Sequence, residues 1–204
     1  MTEDFIKQII DALEDKAGVP QHQQQSNIQK SSPAVRLNTN ITEYVGCGIG
    51  DTVGIVIANL DAHLHDMMKI NSKYRSIGIV SSRTGGAPHV MAADEAVKAT
   101  NTEIVSIEFA RDTKGGAGHG STIIFASEDV SDSRRGVEIL LSNLERTFGD
   151  VYTCDAGHIE LHYTARSSFA LERGFSAPVG KAFGITVGAP AAVGLLMADV
   201  ALTT

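Results

Sequence analysis

The chain has 204 residues, of which 43% are hydrophobic and 20% are charged, and its formal net charge is -7 at pH 7. This length allows one large domain or two small ones, and the composition is that of an ordinary globular protein. Aromatic residues make up only 5% of the chain, and the negative charge would repel phosphate groups, so the sequence argues against a nucleic-acid-binding protein.

Residues 1–17 are predicted to form an amphipathic helix, and residues 18–40 a flexible polar linker. Five apolar side chains follow the 3.6-residue period of one helix face: Phe5, Ile6, Ile9, Ile10 and Leu13. The acidic residues and the lack of a long apolar run argue against a secretory signal. Because so short a helix is marginal alone, we expect it to dock on the body of the protein or, as the long linker favours, on a partner.

A first folded unit is predicted over residues 41–150, in the order β-α-β-α-β-β-α. Strands are expected at residues 52–60, 76–80, 103–109 and 122–126, and helices at residues 61–70, 88–100 and 131–148. The last helix has the clearest buried stripe, formed by Val137, Leu140, Leu141, Leu144 and Phe148, and Gly149 stands at its C-cap. The first helix has a stripe of Leu60, Leu64, Met67 and Met68. Two consecutive strands exclude a purely parallel sheet, so the sequence predicts an α+β unit with a mixed sheet.

The same pattern begins again near Gly157 and defines a second unit, residues 151–204. Shifted by 106 positions, the segment that starts at Asp51 lies on the one that starts at Gly157 without a gap, sharing pattern more than identities. This predicts strands at residues 159–164 and 182–187, and helices at residues 167–175 and from Ala191 onward. A tandem duplication indicates a symmetric assembly, and thus a building block before an enzyme.

The uncharged run of residues 182–198 needs a separate interpretation, because it resembles a membrane span. It is shorter than the ~20 residues that a span requires, and Pro190 interrupts it. The run is therefore interpreted as a buried strand, a turn and a helix, and no membrane partner is expected.

Two glycine-rich segments are candidates for phosphate binding, since glycine lets several backbone N–H groups converge on one point. Residues 112–120 lack the order of a P-loop, and residues 46–50 lack the flanking strand and helix of a dinucleotide site. Both are interpreted as loops that shape the backbone. A small-ligand-binding regulator or a nucleotide-binding protein that uses the loop 114–120 is the alternative function.

His158, Glu160 and His162 alternate along a predicted strand and would share a face, as metal ligands do. A solvated polar face explains the same pattern and is favoured. Cys47 and Cys154 form no metal-type cluster and are interpreted as free thiols in a reducing cytosol. Since no catalytic signature is present either, we predict no catalytic residue, no cofactor and no metal site.

Several long runs resemble the tandem-domain shell proteins of bacterial microcompartments, of the PduB type from propanediol-utilisation compartments and the EtuB type from ethanol-utilisation compartments. The runs are GDTVGIVIANLD, YRSIGIVSSRTGGAPHVMAADEAVKATN, RTFGDVY and AGHIELHYTARSS, within residues 42–202. The resemblance implies two circularly permuted shell domains of a ferredoxin-like-related fold. Because family members continue for about 60 further residues, the second domain is expected to be incomplete in this chain.

The resemblance also implies a function. Three chains would form a flat pseudohexameric trimer, and the trimers would tile with other shell proteins into a cytoplasmic shell around enzymes, without catalysing a reaction themselves. The loop between the paired strands would line a pore for small polyol or aldehyde metabolites; it comprises Lys114, Gly115, Gly116, Ala117, Gly118, His119 and Gly120.

Two further sites follow from the same resemblance. Lys98, in AVKATN, matches the lysine that family members place at tile edges to contact a neighbour. The N-terminal helix matches the extension through which this type is thought to hold the enclosed enzymes. Its partner face would be Phe5, Ile6, Ile9, Ile10 and Leu13.

Overall fold

Two sheets organise the computed structural model, which describes residues 43–109, 120–149 and 151–203. The first unit consists of β1 (Tyr44–Gly48), β2 (Thr52–Ile57), α1 (Ala62–Met68), β3 (Ser76–Ser82), α2 (Ala87–Lys98), β4 (Glu103–Glu108), β5 (Ser121–Ser127) and α3 (Val130–Phe148). The second consists of β6 (Val151–Cys154), β7 (Gly157–Thr164), α4 (Phe169–Phe175), β8 (Phe183–Ala189) and α5 (Ala191–Thr203). The helices and strands predicted from residue 52 onward are all present, and β1 and β6 are two further strands that the sequence analysis did not predict.

The first sheet has the strand order β1-β2-β3-β5-β4, and each neighbouring pair is antiparallel. The expectation of a mixed sheet is therefore wrong for the described strands. The physical reason is the position of β5, which inserts between β3 and β4. The two strands that α2 connects run in the same direction but do not pair, because each is bonded to β5 instead.

Helix α3 lies across one face of this sheet and contributes to the main core together with α2 and the strands. Val137, Leu140 and Leu144 are fully buried, as the stripe predicts. Glycines in the sheet permit the close approach, since a Cβ atom at Gly54 would lie 2.5 Å from a methyl group of Val137. The helix ends at Gly149, whose positive φ of 55° confirms the predicted C-cap.

Strand β1 replaces the loop that was expected at residues 46–50. Gly46 and Gly48 lie within this edge strand, which pairs with β2. Glycine is a weak strand former, so the sequence pattern hid the strand. Glycine is needed at Gly48 because a Cβ atom there would lie 2.7 Å from the side chain of Leu144.

Helix α1 forms where expected, and Asp61 caps it by accepting the N–H of His63 at 2.8 Å. Its predicted apolar stripe is only partly covered, however. No residue within the helix is buried, and Leu64 and Met67 are exposed by 38% and 79%. Of the stripe, only Leu60, just before the helix, is fully inside the small core on this side of the sheet.

The second unit has an antiparallel sheet of order β6-β7-β8, and α5 packs on it through Met197. Strand β8 and helix α5 confirm the interpretation of residues 182–198 as strand, turn and helix, but the expected burial is wrong, because Met197 is the one buried residue of this run. In the part of the chain that the structure describes, no helix is long and apolar enough to cross a bilayer.

The two units repeat the same helix, with one correction to the alignment. The N-caps Asp61 and Ser168, and the left-handed C-caps Lys69 and Ser176, lie 107 positions apart. The gapless shift of 106 is therefore wrong by one residue over this helix. Applied to the strands that precede these helices, β2 and β7, the corrected shift of 107 matches Val53 with Glu160. The correction is needed because an error of one residue would match side chains on opposite faces of the two strands.

Candidate functional site

Of the predicted pore loop, the structure describes Gly120, where the loop enters β5. Lys114 to His119 lie outside the described residues, as do Phe5, Ile6, Ile9, Ile10 and Leu13 of the N-terminal helix. Gly120 is buried directly before β5. The loop therefore starts and ends at the edge of the sheet where β4 ends, β5 begins and β3 ends.

Paired hydroxyl groups hold the base of this loop. The hydroxyls of Ser82 and Ser121 lie 3.0 Å apart, and those of Ser81 and Thr122 lie 2.8 Å apart, across β3 and β5. The N–H of Ser121 also donates to the Ser82 hydroxyl at 3.2 Å. Such cross-strand pairs fix the spacing of two strands at their ends. The sequence analysis missed them, although the serines and threonine at the strand ends were a usable signal.

The main constellation of buried polar groups lies at the junction of the two units. Helix α2 packs on its own sheet and α3, and its other side is covered by α4 and β7 of the second unit. As a result, nine of its residues are buried: Ala87, Pro88, His89, Val90, Met91, Ala92, Ala93, Asp94 and Ala96. A Cβ atom at Gly174 of α4 would lie 2.9 Å from Val90, so the helices approach closely.

Strand β7 presents Glu160 to this junction, held by two histidines. Glu160 is 4% exposed, and its carboxylate oxygens lie 2.9 Å from Nε2 of His158 and 3.1 Å from Nε2 of His162. Nδ1 of His162 lies 2.8 Å from the carbonyl oxygen of Thr147 at the end of α3.

The electrostatics of Glu160 follow from these contacts. Burial alone would raise the pKa of the carboxyl, but hydrogen bonds and charge from His158 and His162 outweigh it and lower the pKa to about 2. The favoured interpretation of this strand face as solvated is therefore wrong, because the first unit covers it. The metal alternative gains no support, since the described residues include no group of three His, Cys, Asp or Glu that could hold an ion.

His89 is the second buried titratable group at the junction. Its side chain is fully buried, Nε2 lies 2.7 Å from the hydroxyl of Thr52, and the ring meets Phe148 edge to face at 5.6 Å. Burial lowers the pKa of His89 to about 4, so the ring is neutral at physiological pH. The sequence analysis did not single out this residue.

Lys98 lies in the last turn of α2, with its side chain 30% exposed. Its ammonium nitrogen is 2.6 Å from Oδ2 of Asp94 and 3.3 Å from Oε1 of Glu95. The other oxygen of the buried Asp94 carboxylate accepts the N–H of Ser168 at 2.7 Å and also its hydroxyl proton. Lys98 is thus joined to the first turn of α4 in the second unit through one carboxylate.

The chain is similar in sequence and fold to known shell proteins. Residues 76–154 match the model of the BMC domain. Over 185 residues, 88% of this chain and 68% of the relative, the sequence is 60% identical to the bacterial microcompartment shell protein PduB of Citrobacter freundii.

Two solved structures of shell-protein relatives are similar to this chain in fold as well as in sequence. EtuB from Clostridium kluyveri has a TM-score of 0.78 and 55% identity, over 81% of this chain and 72% of that chain. A trimeric bacterial microcompartment shell protein PduB has a TM-score of 0.75 and 48% identity, over 79% of this chain and 72% of that chain.

Proposed function

The chain belongs to the bacterial microcompartment shell proteins of the PduB type, and from this we propose that three copies form a flat tile with their six units around a pseudo-sixfold axis. Its role is structural, in the shell of a microcompartment. We propose further that the tile itself catalyses no reaction. The alternative of a regulator or nucleotide-binding protein that uses the loop 114–120 is not favoured, because the relatives are shell proteins.

The main support for the proposed trimer is that equivalent residues of the two units are buried to different extents. Leu171 of α4 is 0% exposed because α2 covers it, whereas its counterpart Leu64 of α1 is 38% exposed. On the strands, Glu160 is 4% exposed and its counterpart Val53 is 39% exposed. The first unit therefore presents, uncovered, the surface that the second unit buries within the chain.

Helices α2 and α5 also differ in burial, but here the helix of the second unit is the more exposed one. Helix α2 is covered on both sides, whereas its counterpart α5 has Met197 as its one buried residue. Leu195 and Leu202 of α5 are exposed by 75% and 88%. Part of this exposure has another cause, because α2 also packs on α3 and the described residues of the second unit include no counterpart of α3. The exposed apolar side chains of α5 are nevertheless of the kind that marks an interaction site.

A head-to-tail arrangement satisfies both surfaces. The receiving surface of one chain (Val53, Leu64 and Met67) would meet the second unit of the next, just as α4 and β7 meet α2 within each chain. Such a heterologous contact forms a ring when the rotation closes. The six units of the ring then come from three chains, and the solved relative PduB is likewise described as trimeric.

Substitutions in the receiving surface test this arrangement. The double variant Leu64→Glu, Met67→Glu is expected to be a folded monomer, because desolvating two carboxylates in an apolar contact is costly. The measurement is the mass by light scattering, with circular dichroism as the test of folding.

Ala62→Glu provides the matched control on the same helix. Its counterpart Phe169 is 68% exposed and lies outside the junction, so a charge at Ala62 should leave the trimer intact. If both variants kept the trimer, the receiving surface would have been assigned wrongly.

We propose that the loop 114–120 lines the pore of the tile and passes small polar metabolites, such as polyols or aldehydes. Its glycines would leave the opening free of side chains, and the hydroxyl pairs between β3 and β5 would hold the end of the loop that enters β5. Gly116→Trp is expected to slow metabolite entry into intact compartments while the mass of the tile stays the same. Unchanged entry would argue against this loop as the route.

We propose that the N-terminal segment attaches enclosed enzymes through the face of Phe5, Ile6, Ile9, Ile10 and Leu13. Deleting residues 1–37 should abolish co-purification of the enzymes with shells and leave the shell intact. Enzyme capture by the deleted form would exclude this role.

We also propose that Lys98 contacts a neighbouring tile at the edge. Lys98→Ala should then impair the growth of sheets and leave trimers unchanged, as seen by electron microscopy and light scattering. Normal sheets would exclude the role.

A further inference from the structure

We propose that Asp94 is the residue that positions Lys98 for its contact with a neighbouring tile, and that it ties this position to the second unit of the chain. The inference rests on the edge role of Lys98 proposed above. Asp94 is a positioning residue in this sense, since its side chain is 1% exposed and does not reach the neighbour itself.

The first step concerns the freedom of the lysine. A free lysine side chain loses up to ~2 kcal/mol of rotamer entropy when a contact fixes it. Lys98 is already held, because its ammonium nitrogen lies 2.6 Å from the Asp94 carboxylate and 3.3 Å from that of Glu95. Most of this entropy is therefore lost on folding and not on tile assembly.

The second step concerns what remains available on the ammonium group. An ammonium has three N–H donors, of which one donates to Glu95 at 3.3 Å, while the Asp94 carboxylate pairs with the ammonium by charge at 2.6 Å. With 30% of the side chain exposed, a further donor is left for an acceptor oxygen of the neighbouring tile. The partner chemistry that fits is a backbone carbonyl or a carboxylate.

The third step concerns what holds Asp94. Its second oxygen accepts both the N–H and the hydroxyl of Ser168, which is the N-cap residue of α4. Helix α1 shows the contrast, because there Asp61 caps its own helix. In α4 the carboxylate comes from the other unit, so the position of Lys98 is set by the junction as well as by α2.

A double-mutant cycle on the full chain tests the proposal. The readout is the critical protein concentration for sheet formation, measured by sedimentation for the unmodified protein, Asp94→Asn, Lys98→Ala and the double variant. Light scattering checks that each one still forms the trimer.

Asp94→Asn and Lys98→Ala should each raise the critical concentration about tenfold, the loss of roughly one charge-assisted hydrogen bond. The double variant should be no worse than Lys98→Ala alone, because Asp94 acts through the lysine.

Three results would overturn the proposal, and they are distinguishable. If Asp94→Asn tiles normally while Lys98→Ala does not, Asp94 does not position the lysine. If the effect of Asp94→Asn persists in full in the Lys98→Ala background, Asp94 serves the junction alone. If Lys98→Ala tiles normally, the proposed edge role itself is wrong, and the positioning role with it.

A chemical measurement on the unmodified protein does not depend on the folding of Asp94→Asn. Lys98 should be acylated several-fold more slowly than Lys69, which is exposed on the surface of the first unit. Ser168→Ala keeps the Asp94 carboxylate beside the lysine, so labelling of Lys98 should stay slow in that variant. Equal rates for Lys98 and Lys69 would show that the ammonium is not held and would overturn the proposal.

Discussion

At the scale of single residues, the junction combines a neutral histidine and an ionised glutamate out of contact with bulk water. His89 is neutral because it is buried beside Thr52, and Glu160 is ionised because two histidines surround it. Each group is tuned by residues of the other unit or by the packing that the other unit completes. The protonation of the junction is therefore coupled to its formation.

His89 should make stability depend on pH below neutrality. Its pKa is about 4 in the folded protein and ~6.5 when unfolded, so between these values the unfolded chain binds the extra proton. Stability is then lost as the pH falls through this window. For one such group, the free energy of unfolding should drop by about 2 kcal/mol between pH 7.5 and pH 5.

Urea unfolding at these two pH values measures the effect. The change in the free energy of unfolding between the two pH values should be smaller for His89→Gln than for the unmodified protein. His63→Gln should keep the full pH dependence of stability, since that side chain is 93% exposed. An unchanged pH dependence in His89→Gln would contradict the assignment.

Glu160 affects stability in a lower pH range than His89. Its contribution to the free energy of unfolding is lost as the carboxyl is protonated between pH ~4.5 and 2.

At the scale of elements, the same short helix has two different environments. Helix α4 is buried on α2, whereas its counterpart α1 is exposed. The difference lies in the surroundings and not in the local sequence, because both helices have seven residues and end at a left-handed C-cap. This is the pattern expected when one of two equivalent contacts is made within a chain and the other between chains.

Helix α4 should contribute strongly to stability through the junction. Leu171→Ala removes a fully buried side chain from the core of the first unit, so we expect a loss of ~2–4 kcal/mol in the free energy of unfolding. Phe169→Ala on the same helix is the control and should change it by less than ~0.5 kcal/mol. Urea denaturation compares the two; equal losses would mean that α4 is not anchored on α2 as described.

Some elements could be predicted from the sequence because the signals are local. The stripe and C-cap glycine of α3 are contained in one segment, and the structure confirms both. Strand β1 could not be predicted, because Gly46 and Gly48 are explained only by the helix packed over them. The exposure of Leu64 was missed for a similar reason, since an apolar stripe shows that a face will be covered and not what covers it.

The candidate site was predictable to a smaller extent. The resemblance predicts an edge role for Lys98. The contact between Asp94 and Ser168, which are 74 positions apart, has no local signature in the sequence. The alternation of His158, Glu160 and His162 is the same for a solvated face and for one covered by another unit. Only the three-dimensional arrangement of the two units distinguishes them.

At the scale of the whole molecule, we propose that the two units act as two sixths of a ring. Each chain makes one junction internally and leaves the matching pair of surfaces free, one on α1 and β2 and one on α5. Such an object is a building block for a closed ring, and rings with flat edges can tile. The proposed edge lysine, pore loop and enzyme-binding segment would then have separate places in one shell.

The mass of the chain in solution tests this central claim most directly. A single chain has a mass of 21.6 kDa, so light scattering on the purified protein should give three times that value, about 65 kDa. The Leu64→Glu, Met67→Glu variant should give the mass of one chain at the same concentration. A stable monomer of the unmodified protein, or a trimer that survives both charges, would contradict the head-to-tail ring.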